Sequence, residues 1–281
     1  MTLGLPLRRR RNGSRFFVYA TLIAFVAGSL FPFYWSFLVA SRDTGMLSDH
    51  LPPLLPGGNF WSNAARVFDA VPFWKALGNS LVVSGTVTLT TVLFAALAGF
   101  AFAKMRFRGS NGLFVFIVVT LAVPTQLGVI PLFIMMSDLG WAGHLQAVIV
   151  PNLVTAFGVF WMRQYIVDAV PYELIEAARV DGCSVFGTFV HVCLPAIRPA
   201  AAVLAMFTFM MSWNDFLWPL IVLDAGNPTV QVALEKLQSG HYVDYSLVLA
   251  GTTLATIPIL IVFLLLGRQI VAGIMQGAVK G

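Results

Sequence analysis

Hydrophobic positions along the chain group into long intervals that short polar segments separate. A helix crossing a hydrocarbon core of about 30 Å needs roughly 20 apolar residues, and six intervals reach that length. The fifth interval is interrupted by Asp215, and the third and fourth meet at a polar turn near Asp138 and His144. We therefore predict an all-α, polytopic membrane protein with six transmembrane helices. The intervals are residues 16–41, 76–103, 109–137, 139–162, about 199–223 and 245–267.

Composition strengthens this assignment. Hydrophobic residues make up 58% of the 281 residues and charged residues only 10%, and the mean hydropathy is +0.85, well beyond ordinary globular usage. The net charge of +5 is compatible with nucleic-acid binding, but the basic residues are scattered at the ends of apolar intervals. A nucleic-acid partner requires them on one face, so this class is excluded.

The basic residues also orient the chain, because short loops rich in Lys and Arg stay in the cytoplasm. With an internal N-terminus, only four of the 17 Lys and Arg residues fall outside: Arg42, Arg66, Lys75 and Lys236. Both termini are therefore predicted to be cytoplasmic. The apolar run from Phe16 to Ser41 is longer than the core of a secretory signal, so we expect a retained first helix.

These assignments divide the chain into five parts. They are a basic cytoplasmic N-terminus (1–15), a first transmembrane helix (16–41), an extracytoplasmic loop (42–75), a five-helix core (76–268) that contains a cytoplasmic loop (168–198), and a cytoplasmic tail (269–281). Pro124 and Pro131 are expected to interrupt the third span. The small residues of "AALAGFAFA" (95–103) predict close backbone approach of the second helix to a neighbour.

The cytoplasmic loop is the most polar long stretch in the second half of the chain, "EAARVDGCSVFGTFVHVCLP" (176–195). A helix is predicted to begin between Asp168 and Pro171, to place Leu174, Ala177 and Ala178 toward one face, and to break at Asp181 and Gly182. Ser184 is predicted to cap a second helix from about Val185 to Cys193, which Pro195 limits.

Such an element is either a passive interfacial helix or a docking surface for a soluble partner. Alanines beside Glu173, Glu176 and Arg179 give it a low profile that favours docking, since a lipid-bound helix would carry bulky apolar residues. Cys183 and Cys193 both lie in this loop, where thiols stay reduced, and we expect them to pack as small apolar residues.

The loop matches the pattern E-A-A, three residues, G, nine residues, I-x-L-P. Val192 replaces the usual Ile, and Cys183 stands where Ala commonly follows Asp-Gly. On this motif the chain resembles the permease subunits of binding-protein-dependent ATP-binding-cassette (ABC) importers. "PFWKALGNSL" (72–81), "VPTQLGVIPLF" (123–133), "WNDFLWPL" (213–220) and "GAVKG" (277–281) are similar to the carbohydrate-importing branch, of maltose and cellobiose type.

The resemblance implies the type I ABC importer permease fold, with the loop acting as coupling helices that seat on a separate cytoplasmic ATPase. Glu176 would bond to the ATPase and Gly182 would permit the sharp turn. The tail, with Gln276 and Lys280, would reach the ATPase or else be frayed. The implied coupling residues are Glu173, Glu176, Ala177, Ala178, Arg179, Asp181, Gly182, Leu194 and Pro195.

The resemblance also implies the partners, the location and the cargo. The partners are a second, different permease subunit, a dimer of ATPase subunits, an extracytoplasmic sugar-binding protein and membrane lipid. The location is the bacterial plasma (inner) membrane. The cargo is a carbohydrate, with a disaccharide or short oligosaccharide preferred.

The chain itself lacks the features of an enzyme. It contains no G-x-x-x-x-G-K-[ST] loop, its four histidines are dispersed, and H-E-x-x-H and G-x-S-x-G do not occur. We expect no metal and no cofactor on this chain, with ATP and Mg bound by the partner ATPase. An ion-coupled carrier would need buried titratable relays, and a non-transporting scaffold would not need the E-A-A spacing.

A second candidate site surrounds the carboxylate of the fifth interval. Trp213, Asn214, Asp215 and Trp218 form a possible pathway or gate, because an ionisable residue at membrane depth is a functional hypothesis by default. An interfacial aromatic belt at the outer end of the helix and direct sugar contact are the alternatives.

Overall fold

The computed structural model describes residues 12–43, 54–239 and 242–278, and all regular elements within these ranges are helical. Three helices contain segments long and apolar enough to cross a membrane: Arg15–Ala40, Phe73–Lys104 and Tyr245–Gly267. The helices of the first half are α1 (Asn12–Ala40), α2 (Phe60–Ala70), α3 (Phe73–Lys104), α4 (Ser110–Thr120), α5 (Val129–Asp138), α6 (Gln146–Ile149) and α7 (Ala156–Ala169).

The second half continues with short helices before the last long one. They are α8 (Tyr172–Val180), α9 (Val185–Thr188), a π-helical turn (Phe189–Cys193), α10 (Leu194–Ala196), α11 (Arg198–Trp213), α12 (Leu217–Val222), α13 (Val230–Lys236) and α14 (Tyr245–Ala278). Two 3₁₀ turns, Thr125–Gly128 and Val150–Asn152, precede α5 and α7.

The third predicted interval is a bent pair rather than a straight helix. α4 and the segment Thr125–Asp138 meet at 90°. Pro124 lies at the break with extended backbone (φ −60°, ψ 122°), as predicted. Pro131 lies in the first turn of α5, where a missing N–H has no helical acceptor, so the expectation that it interrupts the span is wrong.

The fourth predicted interval, residues 139–162, is not one helix. It contains a loop with positive φ at Gly140 and Gly143, the four-residue α6, a 3₁₀ turn and half of α7. A second bent pair, Val185–Ala196 with Arg198–Trp213, meets at 78°. Counting each bent pair as one span gives up to five spans in the described residues, and the count of six stays a prediction.

The chain divides into two compact units, and the first comprises residues 1–67 and 243–254. Its described core is small: Leu38 and Val39 are buried against Trp35 and Leu249. The Asn63 side-chain amide donates to the carbonyls of Ala40 and Arg42 at 2.9 and 2.8 Å. These bonds hold the chain after α1 against α2.

An ion pair within the first unit joins α2 to the start of α14. Arg66 Nη2 lies 2.6 Å from Asp244 Oδ2, and the Ser246 hydroxyl donates to Asp244 Oδ1 at 2.6 Å. Burial alone would raise the pKa of Asp244, but the hydrogen bonds from Ser246 and Arg66 outweigh it and hold that pKa below its ordinary value.

The second unit comprises residues 68–242 and 255–281 and is built on α3, which packs most extensively against α7 and α11. Gly99 permits this contact, because a β-carbon there would lie 2.8 Å from the backbone nitrogen of Arg163. Gly158 on α7 would place a β-carbon 3.2 Å from Ala95. The close approach predicted for residues 95–103 is therefore confirmed.

Two apolar clusters fill this unit. One is formed by α3, α7, α8, the π-helical turn and α11, with Phe100, Met162, Ile166, Phe189 and Leu204 among its buried members. The other joins α3 to α5, α6 and α12. The first cluster is the one that positions the E-A-A loop.

Candidate functional site

The E-A-A loop folds as a short helix, a glycine turn and a second helical segment. α8 begins after Pro171, whose backbone is extended (φ −56°, ψ 147°), and ends at Asp181. Gly182 follows with φ +77°, the left-handed conformation that glycine adopts without strain. The break is where the sequence predicted it. Asp168, however, lies in the last turn of α7 rather than at the start of a helix.

The buried side of α8 consists of two residues. Ile175 and Ala178 are 2% and 6% exposed and pack toward the first apolar cluster, one turn apart as residues i and i+3 are. Leu174 is half exposed and Ala177 is exposed, so of the three residues predicted to lie toward one face only Ala178 enters the core. The exposed Ala177 lies beside Glu173 and Glu176. The burial of Ile175 was not predicted, because it depends on contacts with helices distant in the sequence.

The opposite side of α8 forms an exposed surface, which we call the coupling face: Glu173, Glu176, Ala177 and Val180. Val180 is 88% exposed. The acidic Glu173 lies in the first turn and the basic Arg179 in the last, both favourable with respect to the helix dipole. The coupling face therefore combines a low apolar strip with two carboxylates.

The second helical segment begins as predicted. The Ser184 hydroxyl accepts from the Gly187 backbone N–H at 3.0 Å and so caps α9. The helix continues through the π-helical turn to Ala196, one residue beyond Pro195. Leu194 and Pro195 are both exposed.

The two cysteines of the loop differ in environment. Cys193 is fully buried in the first apolar cluster, which confirms its predicted packing role. Cys183 is exposed beside Gly182, so the same expectation is wrong for it. Its side chain instead borders a small open cavity together with Arg179 and Val185.

Sequence reasoning missed two exposed apolar side chains that extend the surface beyond the turn. Val185 is 52% and Phe186 is 68% exposed. The available signal was an apolar pair directly after a capping serine. These side chains add to the exposed apolar surface around Gly182.

The Trp213–Trp218 segment is arranged differently. Trp213 is 1% exposed and stacks on Phe209 with ring centroids 5.5 Å apart. Trp218 is 8% exposed, and its indole N–H donates to the Ala147 carbonyl at 3.0 Å. Asp215 is half-buried between α11 and α12. Asn214 is exposed, and its side-chain amide donates to Met210.

The two predicted ATPase contacts of the tail lie at the end of the chain. Gln276 belongs to α14, and Lys280 lies outside the described residues. Their contact role stays a prediction.

An all-helical chain with several membrane-length apolar helices defines a multi-pass membrane protein, and the E-A-A loop is an exposed helix-turn-helix within it. Residues 91–276 match the family described as the binding-protein-dependent transport system inner membrane component. The chain belongs to this family, and it is an inner-membrane permease component of a binding-protein-dependent transport system.

Similar proteins cover nearly the whole chain. It is 34% identical over 263 residues to the arabinooligosaccharides transport system permease protein AraQ of Halalkalibacterium halodurans, covering 92% of this chain and 93% of that one. It is 34% identical to the lactose transport system permease protein LacG of Rhizobium radiobacter, covering 98% of each. It is 30% identical to the diacetylchitobiose uptake system permease protein DasC of Streptomyces coelicolor, covering 93% and 95%.

The fold also matches a solved structure. A chain of a bacterial ABC transporter involved in the import of the acidic polysaccharide alginate superimposes with a TM-score of 0.77 at 23% identity, over 94% of this chain and 99% of that one. The predicted permease fold is therefore confirmed.

Proposed function

We propose that this chain is the transmembrane subunit of an ATP-driven carbohydrate importer, and that its coupling face docks on a separate cytoplasmic ATPase. One observation carries the proposal: Ile175 and Ala178 fix one side of α8 to the bundle, while Glu176 and Val180 on the other side remain exposed. A partner that moves α8 would therefore move α3, α7 and α11 with it.

The proposal includes a membrane arrangement and a set of partners. The chain crosses the membrane six times with both termini in the cytoplasm, which places the E-A-A loop and the tail on the ATPase side. A second, different permease completes the pathway, and an extracytoplasmic sugar-binding protein delivers the cargo. ATP and Mg bind to the ATPase dimer, and this chain takes no part in the hydrolysis chemistry.

The proposed cargo is a disaccharide or a short oligosaccharide. Three relatives are named for transport of arabinooligosaccharides, lactose or diacetylchitobiose. A fourth, the UgpE protein of Yersinia pestis, is 30% identical and is named for transport of sn-glycerol-3-phosphate. We favour a gate or structural role for Asn214 and Asp215 over direct sugar contact, and the burial of Trp213 and Trp218 beside them supports the structural role.

The first test is ATP hydrolysis by the complex that copurifies with this chain, reconstituted in lipid with its binding protein. Lactose, an arabinooligosaccharide, diacetylchitobiose and sn-glycerol-3-phosphate are each added. Stimulation by one of the sugars supports the proposal, whereas stimulation by the phosphate alone contradicts the carbohydrate assignment.

Variants then test the coupling face. Glu176→Ala removes a carboxylate from the coupling face and is expected to lower the stimulated rate by about fivefold, within the range of single coupling contacts. Asp69→Ala removes an exposed carboxylate from α2 and is expected to leave the rate unchanged. Equal rates in both variants, or no copurifying ATPase, would contradict the docking role.

A further inference from the structure

The junction between α7 and α8 leaves the backbone carbonyl of Val167 without its usual donor. In a continuing helix the carbonyl of Val167 would accept from the N–H of residue 171, but that residue is Pro171, which has none. The N–H of Val170 bonds to Ile166 at 3.2 Å and so satisfies only the preceding carbonyl. The last turn of α7 needs a donor from elsewhere.

The donor comes from the end of α3. Lys104, the last residue of that helix, is only 7% exposed, and its Nζ lies 3.5 Å from the Val167 carbonyl oxygen. A cation at a helix C-terminus is favourable with respect to the helix dipole. A buried lysine is costly unless it is paired, and here the end of α7 pairs it.

Lys104 also borders both halves of the E-A-A loop. It lines a cavity of about 30 Å³ together with Ile175 and Arg179 of α8, and with Cys183 and Val185 at the turn. Near this cavity, the Arg106 guanidinium lies 5.9 Å from the centre of the Tyr172 ring. The basic end of α3 therefore contacts α7, the first turn of α8 and the glycine turn at one place.

We infer that Lys104 is a positioning residue for energy coupling: it fixes the junction of α7 and α8 to the end of α3, so that movement of the coupling face reaches the long core helix. This inference rests on the proposed docking role of α8. Apolar packing at Ile175 resists separation of α8 from the core, whereas the directional contact of Lys104 with Val167 resists its rotation.

The test uses the full chain with its copurifying subunits in lipid. Lys104→Met keeps the apolar stem but removes the charge and the donor, and Lys104→Arg restores both. Arg108→Met, at an exposed position in the loop that follows α3, is the matched loss of a positive charge. Hydrogen exchange of the amides of residues 172–180 is measured, together with copurified ATPase and the ratio of lactose- or arabinooligosaccharide-stimulated to basal hydrolysis.

Lys104→Met is expected to retain the copurifying ATPase and to raise amide exchange in α8. The ratio of sugar-stimulated to basal hydrolysis is expected to fall by about tenfold, which is within the usual range of coupling between sites. Lys104→Arg is expected to stay within about twofold of wild type, and Arg108→Met to change neither readout. Unchanged exchange in Lys104→Met, or an equal loss in Lys104→Arg, overturns the inference.

Two further results are interpretable in advance. If Lys104→Met does not reach the membrane, Lys104→Gln decides on the same criteria, because its side chain is one bond too short to keep the contact with Val167. If no sugar stimulates the wild-type complex, the carbohydrate proposal fails, while the exchange measurement still decides whether Lys104 positions α8.

Discussion

The E-A-A loop and the Trp213–Trp218 segment both interrupt the apolar sequence beside a helix, but they differ in which side chains are buried. In the loop, Glu173 and Glu176 are exposed, and only Ile175 and Ala178 of α8 enter the core. In the other segment both tryptophans enter the core. The first segment presents its charged side chains at the surface, whereas the second contributes its large aromatic side chains to the packing of the helices.

The largest expected effect is a loss of stability in the Trp213–Trp218 segment. Trp213→Ala removes a fully buried ring that stacks on Phe209, and is expected to lower the free energy of unfolding by about 3–5 kcal/mol. Thermal unfolding in detergent measures it. Phe216→Ala, at an exposed position three residues past the end of α11, serves as control. Similar shifts of the unfolding temperature in the two variants would contradict the structural role given to the buried tryptophan.

The reaction rates of the two cysteines can be compared within one molecule. The exposed Cys183 is expected to react with a maleimide at least about 100-fold faster than the buried Cys193, because a buried thiol reacts only after local opening. Mass spectrometry of the labelled peptides measures both rates. Docked ATPase is expected to protect Cys183, and equal rates would show that the loop is not anchored as described.

Gly182→Val tests the turn rather than its contacts. A β-carbon at Gly182 meets no atom within 4 Å, but φ is +77°, which costs a β-branched residue about 1–2 kcal/mol. We expect normal amounts of complex and about tenfold weaker stimulation of ATP hydrolysis. Gly182→Asn, which tolerates this conformation, is expected to retain most activity. Gly112→Val in α4, where φ is ordinary and space is open, is the control.

The smallest effect is expected at the Arg66–Asp244 pair, a charged contact with a structural role. Because the folded pKa of Asp244 is lowered, its contribution to stability is present at neutral pH and is lost as the pH falls below about 4, where the unfolded carboxyl protonates first. The contribution is at most about 1 kcal/mol, since the Arg66 side chain is half exposed.

Thermal unfolding between pH 7 and pH 3 detects this loss. Asp244→Asn is expected to flatten the pH dependence, while Asp69→Asn, on the exposed side of α2, leaves it intact. An unchanged profile in Asp244→Asn would assign the acid sensitivity to other carboxylates.

Local signals predicted much of the loop. Gly182 and the Ser184 cap were found because backbone conformation and capping depend on neighbours in the sequence. Hydropathy alone misjudged the interval 139–162, since Gly140, Gly143 and the turn before α7 divide it without adding charge. The roles of Ile175 and Lys104 depend on helices that meet only in three dimensions. The burial of Trp213 is set by the same kind of contact.

The π-helical turn Phe189–Cys193 has a consequence for insertions and deletions. A π-helical turn holds one residue more than an α-helical turn, so removing one residue there would restore α-helical winding. Because the turn takes up its extra residue without changing the phase of the helix on either side, loss of one residue there would leave α8 oriented nearly as before, whereas one further residue with α-helical winding would rotate it by about 100°. The nine-residue interval of the motif therefore accepts the loss of one residue more readily than the gain of one.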